Sequence, residues 1–256
     1  MESIQSPAPF LWINDWPGRE RDSVRMCSCV TQEENNMALV PYVQNCSPLL
    51  SKLHSASAQF EFNSHRVTVS QDWRRHGVAA VLWDAAVVLS VYMEQGGELT
   101  LKGKRVIELG AGTGLAGIVA ALLGAEVTVT DRASALDLLS TNVKSNLPPG
   151  CQGSATVSEL TWGQGLDRYP AGGFDLVLGA DIVYLEDTFV ALLQTLEHLC
   201  SDATAVLLAC KIRYERDTRF LELLKERFRV EEVHYDQQRD IHIYKAWKLP
   251  EPRAEL

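Results

Sequence analysis

From residue 105 onward, short apolar runs take turns with stretches of helical spacing. The runs predict strands at 105–109, 126–130, 155–160, 174–182 and 204–211, and the periodic stretches predict helices at 115–123, 133–145, 187–200 and 217–227. That alternation is the rhythm of a doubly wound α/β domain. The rhythm changes at the end, where FRVEEVHY (228–235) and IHIYKAWK (241–248) alternate apolar and polar residues around a short polar turn. They predict a terminal antiparallel hairpin on a mostly parallel sheet. Upstream, Phe60, Phe62, Val67 and Val69 alternate around Asn63-Ser64 and predict another hairpin, while 78–93 is expected to form one apolar helix. Residues 1–36 carry no sustained period and contain Pro7, Pro9 and Pro17, which predicts a disordered extension. The remainder, 37–256, is expected to be a single domain with a hairpin and helix (37–98) and an α/β core (99–256).

One junction in that rhythm carries chemistry. VIELGAGTGLAG at 106–117 runs from a strand through Gly110, Gly112 and Gly114 into a helix, and VTVTD then ends in Asp131. Glycines suit a tight turn where a ligand meets the backbone. An acid at the next strand tip is placed for ribose hydroxyls, so the junction reads as a nucleoside-cofactor site. Gly112, Gly114 and Gly117 also satisfy the G-x-G-x-x-G dinucleotide pattern, with Asp131 near the expected spacing of about 20 residues. Glu108 argues against a pyrophosphate and suits the sulfonium of S-adenosylmethionine.

Composition narrows the partners. The 256 residues carry a formal net charge of −9, which disfavours a phosphate backbone and so a nucleic-acid partner. A lysine-bearing protein surface is the easier substrate. No apolar run approaches the roughly 20 residues of a membrane span, and no secretory pattern opens the chain. The six cysteines show no C-x-x-C pair or zinc spacing, so no metal and a cytoplasmic location are expected, with Cys200 and Cys210 as buried thiols.

In parallel sheets ligands gather beyond the carboxyl ends of the strands. Those ends hold Glu108 to Gly112, Asp131, Trp162 and Gly179 to Tyr184. Trp162 is placed to cover an adenine face, with strand-end packing as its alternative, and Ala180 is small enough to let a cofactor approach. Asp181, in the apolar run FDLVLGADIVY, is costly unless hydrogen-bonded or functional. With Tyr184 three residues on, it is placed to line one pocket; its alternative is to cap the helix starting near Glu186. Lys211, Arg213, Arg216 and Arg219 read equally as a solvated helix start or as a partner-docking loop.

The string ELGAGTGL resembles motif I of the class I methyltransferases. Together with GADIVY, whose D-x-x-Y spans Asp181 to Tyr184, and VLWDAA, it resembles the seven-β-strand protein-lysine methyltransferases of family sixteen. MALVPY, QDWRRHGVAAVLWDAA, ELTWGQ and IRYERD resemble, within that family, the members that modify seventy-kilodalton heat-shock chaperones. The resemblance runs from Met37 to Lys248. It implies a Rossmann-like class I methyltransferase fold with a mostly parallel seven-stranded sheet, S-adenosylmethionine as cofactor, a chaperone as substrate and a monomeric enzyme. It places cofactor contacts on Trp83, Gly110, Ala111, Gly112, Asp131, Trp162 and Ala180; Asp181 and Tyr184, from their place at the strand end, are expected to orient the lysine amine. By composition alone Trp83 belongs to the core. Two other readings stay open, a cofactor-binding scaffold module and an NAD-linked oxidoreductase.

Overall fold

Asn63 and Ser64 both take left-handed backbone angles (φ 48° and 61°), the geometry of a two-residue turn between twisted strands. They join β1 (Ser57–Phe62) to β2 (His65–Ser70) in the expected antiparallel hairpin. The computed structural model describes residues 55–96 and 100–250. The expected extension at 1–36 and its boundary with the domain lie outside the described residues.

The main sheet is built from β3 (Arg105–Leu109), β4 (Glu126–Asp131), β5 (Ser154–Glu159), β6 (Leu176–Ala180), β7 (Ala205–Cys210), β8 (Phe228–Asp236) and β9 (Ile241–Lys248), in the order β5-β4-β3-β6-β7-β9-β8. The first five are mutually parallel. β9 is antiparallel to both β7 and β8 and lies between them. This is the seven-stranded, mostly parallel sheet with a terminal hairpin that the pattern predicts. Central strands covered on both faces must be apolar throughout, and Val106, Ile107, Leu109, Leu176, Val177 and Leu178 are all buried.

The helices α1 (Trp73–His76), α2 (Asp84–Gln95), α3 (Leu115–Leu122), α4 (Leu136–Asn146), α5 (Phe189–Leu199) and α6 (Glu215–Lys225) complete the described fold. One side of the sheet packs on α2 and α3 through Leu89, Met93, Ile118 and Val119, and Phe62, Val67 and Val69 of the hairpin join the same cluster. The other side packs on α5 and α6 through Leu192, Leu196, Phe220 and Leu224.

The single helix expected at 78–93 is not formed. Gly77 to Ala80 make a short 3-10 turn, and α2 starts only at Asp84. Side chains capture the backbone between them: Leu82 donates its N–H to Gln71 Oε1 at 2.7 Å, and Trp83 is extended (φ −90°, ψ 148°) with its indole Nε1 donating to Val78 O at 3.0 Å. Trp83 is therefore the residue preceding α2, not a residue within a helix. The strand expected at 174–182 also stops early, at Ala180. Among the described residues, no single helix is long and apolar enough to cross a membrane.

Candidate active site

The glycine loop follows β3 and is fastened to the tip of β4. Ala111 N–H donates to Thr130 O at 2.9 Å, Gly112 N–H to Asp131 Oδ2 at 2.8 Å, and Thr130 Oγ1 to Glu108 O at 2.6 Å. Gly110 and Gly112 have φ of 59° and 55°. A side chain on Gly110 would meet Ile182 at 2.9 Å and the Trp162 ring at 3.2 Å, and one on Gly112 would meet Ala79 O at 2.8 Å. Both the backbone angle and the space thus require glycine. Ala79 lies in the turn that the Trp83 indole holds through Val78, so Trp83 supports the wall of this loop.

Asp131 is only 8 % exposed, and its other oxygen accepts the Arg132 N–H at 2.7 Å. Burial raises its pKa above the usual carboxylate value, against the Gly112 and Arg132 amides and the Arg132 charge, which lower it. Two amide bonds leave part of the carboxylate's capacity of about four acceptor sites for ribose hydroxyls. Trp162 is half-buried beside Gly110, and Ala180 is half-buried at the β6 tip. A nucleoside cofactor fits this donor and acceptor set.

Glu108 plays another part than the expected one. Its carboxyl is 1 % exposed and accepts the Gly117 N–H at 2.8 Å within the first turn of α3. Burial, opposed by that bond and reinforced by Asp131, pushes its pKa to about 8, so at neutral pH it is mostly uncharged. The expected repulsion of a pyrophosphate by a Glu108 charge is therefore not its role. It competes instead for the helix-terminal amide that a pyrophosphate uses. Gly117 lacks a side chain because Glu108 Oε2 and Val129 fill the space, 2.6 and 2.9 Å from where a Cβ would sit. The dinucleotide pattern is thus a packing coincidence at its third glycine.

Asp181 lies just beyond β6 rather than within it, in the left-handed region (φ 54°). Its N–H donates to Ala209 O at 2.8 Å, and its carboxylate takes a two-pronged contact from Arg213 Nη1 and Nη2, both at 3.0 Å. It caps neither the 3-10 turn at Glu186–Thr188 nor α5, which have no side-chain cap. Tyr184 is 37 % exposed. Partial burial raises its phenol pKa, opposed by Arg132 and reinforced by Asp131 and Asp181, so its hydroxyl stays protonated at neutral pH. Tyr184 is thus the residue that feels both carboxylates.

Sequence reasoning missed Arg213 as a partner of Asp181, and left the basic cluster as either solvated or docking. All four cations have internal partners: Lys211 with Asp240 at 3.2 Å, Arg213 with Asp181, Arg216 over the Tyr214 ring at 4.4 Å, and Arg219 with Glu186 at 2.6 Å. It also missed Asn142 and Asn146 on α4. Their amides bond the backbone of Ser70 and Thr68 in β2, each as donor and acceptor, and so dock the hairpin beside the glycine loop. Both asparagines are buried on one face of α4, which only the folded structure reveals. Cys200 and Cys210 are buried free thiols, each pushed up to about 12 by burial. Among the described residues no group of histidine, cysteine and acidic side chains is placed to hold a metal ion.

Comparison with known proteins places this geometry. A solved structure, the 16S rRNA N2 G1207 methyltransferase of T. thermophilus in complex with AdoMet and guanosine, superposes with a TM-score of 0.54 at 18 % identity, covering 75 % of this chain and 50 % of the other. That likeness shows the fold. The zebrafish (Danio rerio) protein N-lysine methyltransferase METTL21A is 67 % identical over 212 residues, 83 % of this chain and 97 % of the relative. Mouse (Mus musculus) EEF1A lysine methyltransferase 3 is 46 % identical over 201 residues, 77 % and 85 % of the two chains. The family model described as lysine methyltransferase matches residues 61–227, from β1 to the turn before β8. The chain therefore belongs to the lysine methyltransferase family, as a protein N-lysine methyltransferase that uses S-adenosylmethionine.

Proposed function

We propose that this enzyme methylates a lysine of seventy-kilodalton heat-shock chaperones, acting as a cytoplasmic monomer, with Asp181 and Tyr184 at the substrate amine. The observation that carries the site assignment is that Asp181, held by Arg213, and the partly exposed Tyr184 follow the carboxyl end of β6, with Ile182 between them lying against Gly110 of the glycine loop. Trp83, Gly110, Ala111, Gly112, Asp131, Trp162 and Ala180 hold the cofactor in this reading. The substrate assignment is supported by the resemblance of MALVPY, ELTWGQ and IRYERD to chaperone-modifying members. Three free cysteines among the described residues agree with a reducing compartment.

When bound, the cofactor supplies a sulfonium-activated methyl group, so that as the N–C bond forms the C–S electrons pass to sulfur and leave a neutral thioether. What the protein must do is present a neutral amine in line, and alignment of this kind is worth effective molarities of about 10⁵ M or more in favourable cases. A lysine amine, with a pKa near 10.4 in water, is almost wholly protonated at neutral pH. Its proton leaves to water before attack. Tyr184, kept as a phenol, does not take it. Asp181, fixed by Arg213, accepts a hydrogen bond from the amine and sets its direction.

Incubation with radiolabelled cofactor and purified chaperone in its nucleotide-free, ADP and ATP states tests the substrate. Label on a chaperone lysine is expected; its absence in all three states refutes the chaperone assignment. A second reading, a translation elongation factor as substrate, is favoured by the likeness to mouse EEF1A lysine methyltransferase 3. Elongation factor 1A in the same assay, labelled while the chaperone is not, would establish it. Calorimetry with NAD alongside S-adenosylmethionine disposes of the oxidoreductase reading if only the latter binds. Binding without label on any protein of a cell lysate would instead favour the scaffold reading.

A further inference from the structure

The arginine that clamps Asp181 sits in the loop after β7, 32 residues away in sequence, and neither prong of the contact is long. The Asp181 side chain is only 7 % exposed, so this carboxylate is withdrawn from water with a single guanidinium as its counter-ion. The main chain fixes the clamp as well. Arg213 and Tyr214 both donate their N–H groups to Asp217 Oδ2, at 2.8 and 3.1 Å, which pins the residue carrying the guanidinium to the start of α6.

The charged side chains at the strand tips and in the segments that follow them come in opposed pairs. Asp131 at the β4 tip is countered by Arg132, Asp181 after β6 by Arg213, Glu186 before α5 by Arg219, and Asp217 of α6 by Arg216, whose Nε is 3.7 Å from Oδ1. Cys210 at the end of β7 is buried, and burial, reinforced by the charges of Asp181, Asp217 and Glu232 and opposed by Arg213, keeps its thiol neutral. Tyr184 is a neutral phenol. Arg213 is thus the group whose loss would leave an uncompensated carboxylate beside the substrate.

That matters because attack needs the amine without its extra proton. A lone carboxylate within about 4–6 Å of an amine favours the ammonium form and shifts such a pKa by roughly 1–3 units. Ion-paired carboxylates still accept hydrogen bonds through their remaining lone pairs, but they hold a cation far less strongly. We propose that Arg213 is a positioning residue for methyl transfer: it aims the Asp181 carboxylate at the substrate amine and cancels its charge, so that Asp181 directs the amine without trapping it as ammonium. The inference rests on the placement of Asp181 beside that amine.

The pH dependence of kcat tests it, at saturating S-adenosylmethionine and protein substrate, between pH 6.5 and 9.5. The substrate is the chaperone, or the lysate protein labelled by wild-type enzyme if the chaperone is not. The variants are Arg213→Met, Arg213→Lys, Asp181→Ala and the double variant Asp181→Asn/Arg213→Met, with melting temperatures recorded. Arg213→Met is expected to move the rising limb of the profile upward by about one pH unit or more, losing about tenfold at pH 7.5 and recovering most of it by pH 9. Arg213→Lys keeps the charge but not the fork, so its limb should stay in place with a lower plateau. The double variant removes both charges and should return the limb to the wild-type position. A wild-type limb in Arg213→Met overturns charge cancellation, as does an upward shift in Arg213→Lys, which remains decisive if the Met variant does not fold. Full turnover by folded Asp181→Ala, which keeps no acceptor at this position, refutes the underlying placement of Asp181, whatever the arginine variants show.

Discussion

Asp131 ends β4 and Asp181 directly follows β6, the two strands that flank β3, and they are held in different ways. Asp131 is gripped by main-chain amides, those of Gly112 and of its own neighbour Arg132. Asp181 is gripped by a side chain from a distant loop. The first arrangement is fixed by the path of the backbone, so any sequence that forms this glycine loop supplies it. The second depends on one arginine, and a single substitution can retune it. The two carboxylates are therefore held by different means at the tips of the strands on either side of β3.

The sharpest way to break the comparison is at Asp131. Asp131→Ala is expected to weaken S-adenosylmethionine binding by about tenfold to about 150-fold, the equivalent of roughly 1.5–3 kcal/mol for hydrogen bonds to a charged acceptor. Calorimetry on folded variant reads this, and an unchanged Kd removes Asp131 from the cofactor site. Asp131→Asn keeps one acceptor for the Gly112 N–H and should lose less.

Next in size is the substrate side. Asp181→Ala should lower kcat by at least about tenfold, a barrier increase of about 1.4 kcal/mol, with a smaller change in cofactor Kd. Tyr184→Phe should cost less, since only the hydroxyl is lost. If Asp181→Ala mainly lowers Tm while the folded fraction turns over normally, Asp181 is a structural residue and the two carboxylates do not differ in function.

The smallest effect falls beneath the loop. Glu108 has a folded pKa of about 8 against 4.5 for an ordinary glutamate, so the folded state holds a proton that the unfolded state has released. Stability linked to this group is fully present below about pH 4.5 and declines as pH rises through about 8. Glu108→Gln, neutral at every pH and still able to accept from Gly117, should raise Tm by a few degrees at pH 8 and by little at pH 4.5. A Tm difference that does not vary with pH would show that Glu108 is not protonated in the folded enzyme.

What could be read from the sequence follows the same division. A glycine-rich turn, buried parallel strands and an acid at a strand tip are local features, so the strands of the sheet, its terminal hairpin and the glycine loop beside Asp131 were legible as structure. Arg213 and Asp181, 32 residues apart, and Asn142 and Asn146, bonded to strand residues 72 and 78 positions away, are joined only by folding. Periodicity gives no sign of such pairs. The false helix at 78–93 failed for a related reason. Apolar residues continued through Leu82 and Trp83, but the Gln71 side chain took the Leu82 N–H and the Trp83 indole took the Val78 carbonyl that a continuous helix needed.

The placement of β9 between β7 and β8 sets an order of events during synthesis. β7 is the apolar run AVLLAC, and its outer edge pairs with residues 242–247. Until those residues leave the ribosome, that edge is an unpaired strand of the kind that recruits other chains. The nascent enzyme already contains its glycine loop and both carboxylates, yet the strand leading into Arg213 has no partner on that side. A chain cut before residue 241 leaves the β7 edge unpaired on that side, and it is expected to aggregate rather than to persist as a weakened enzyme.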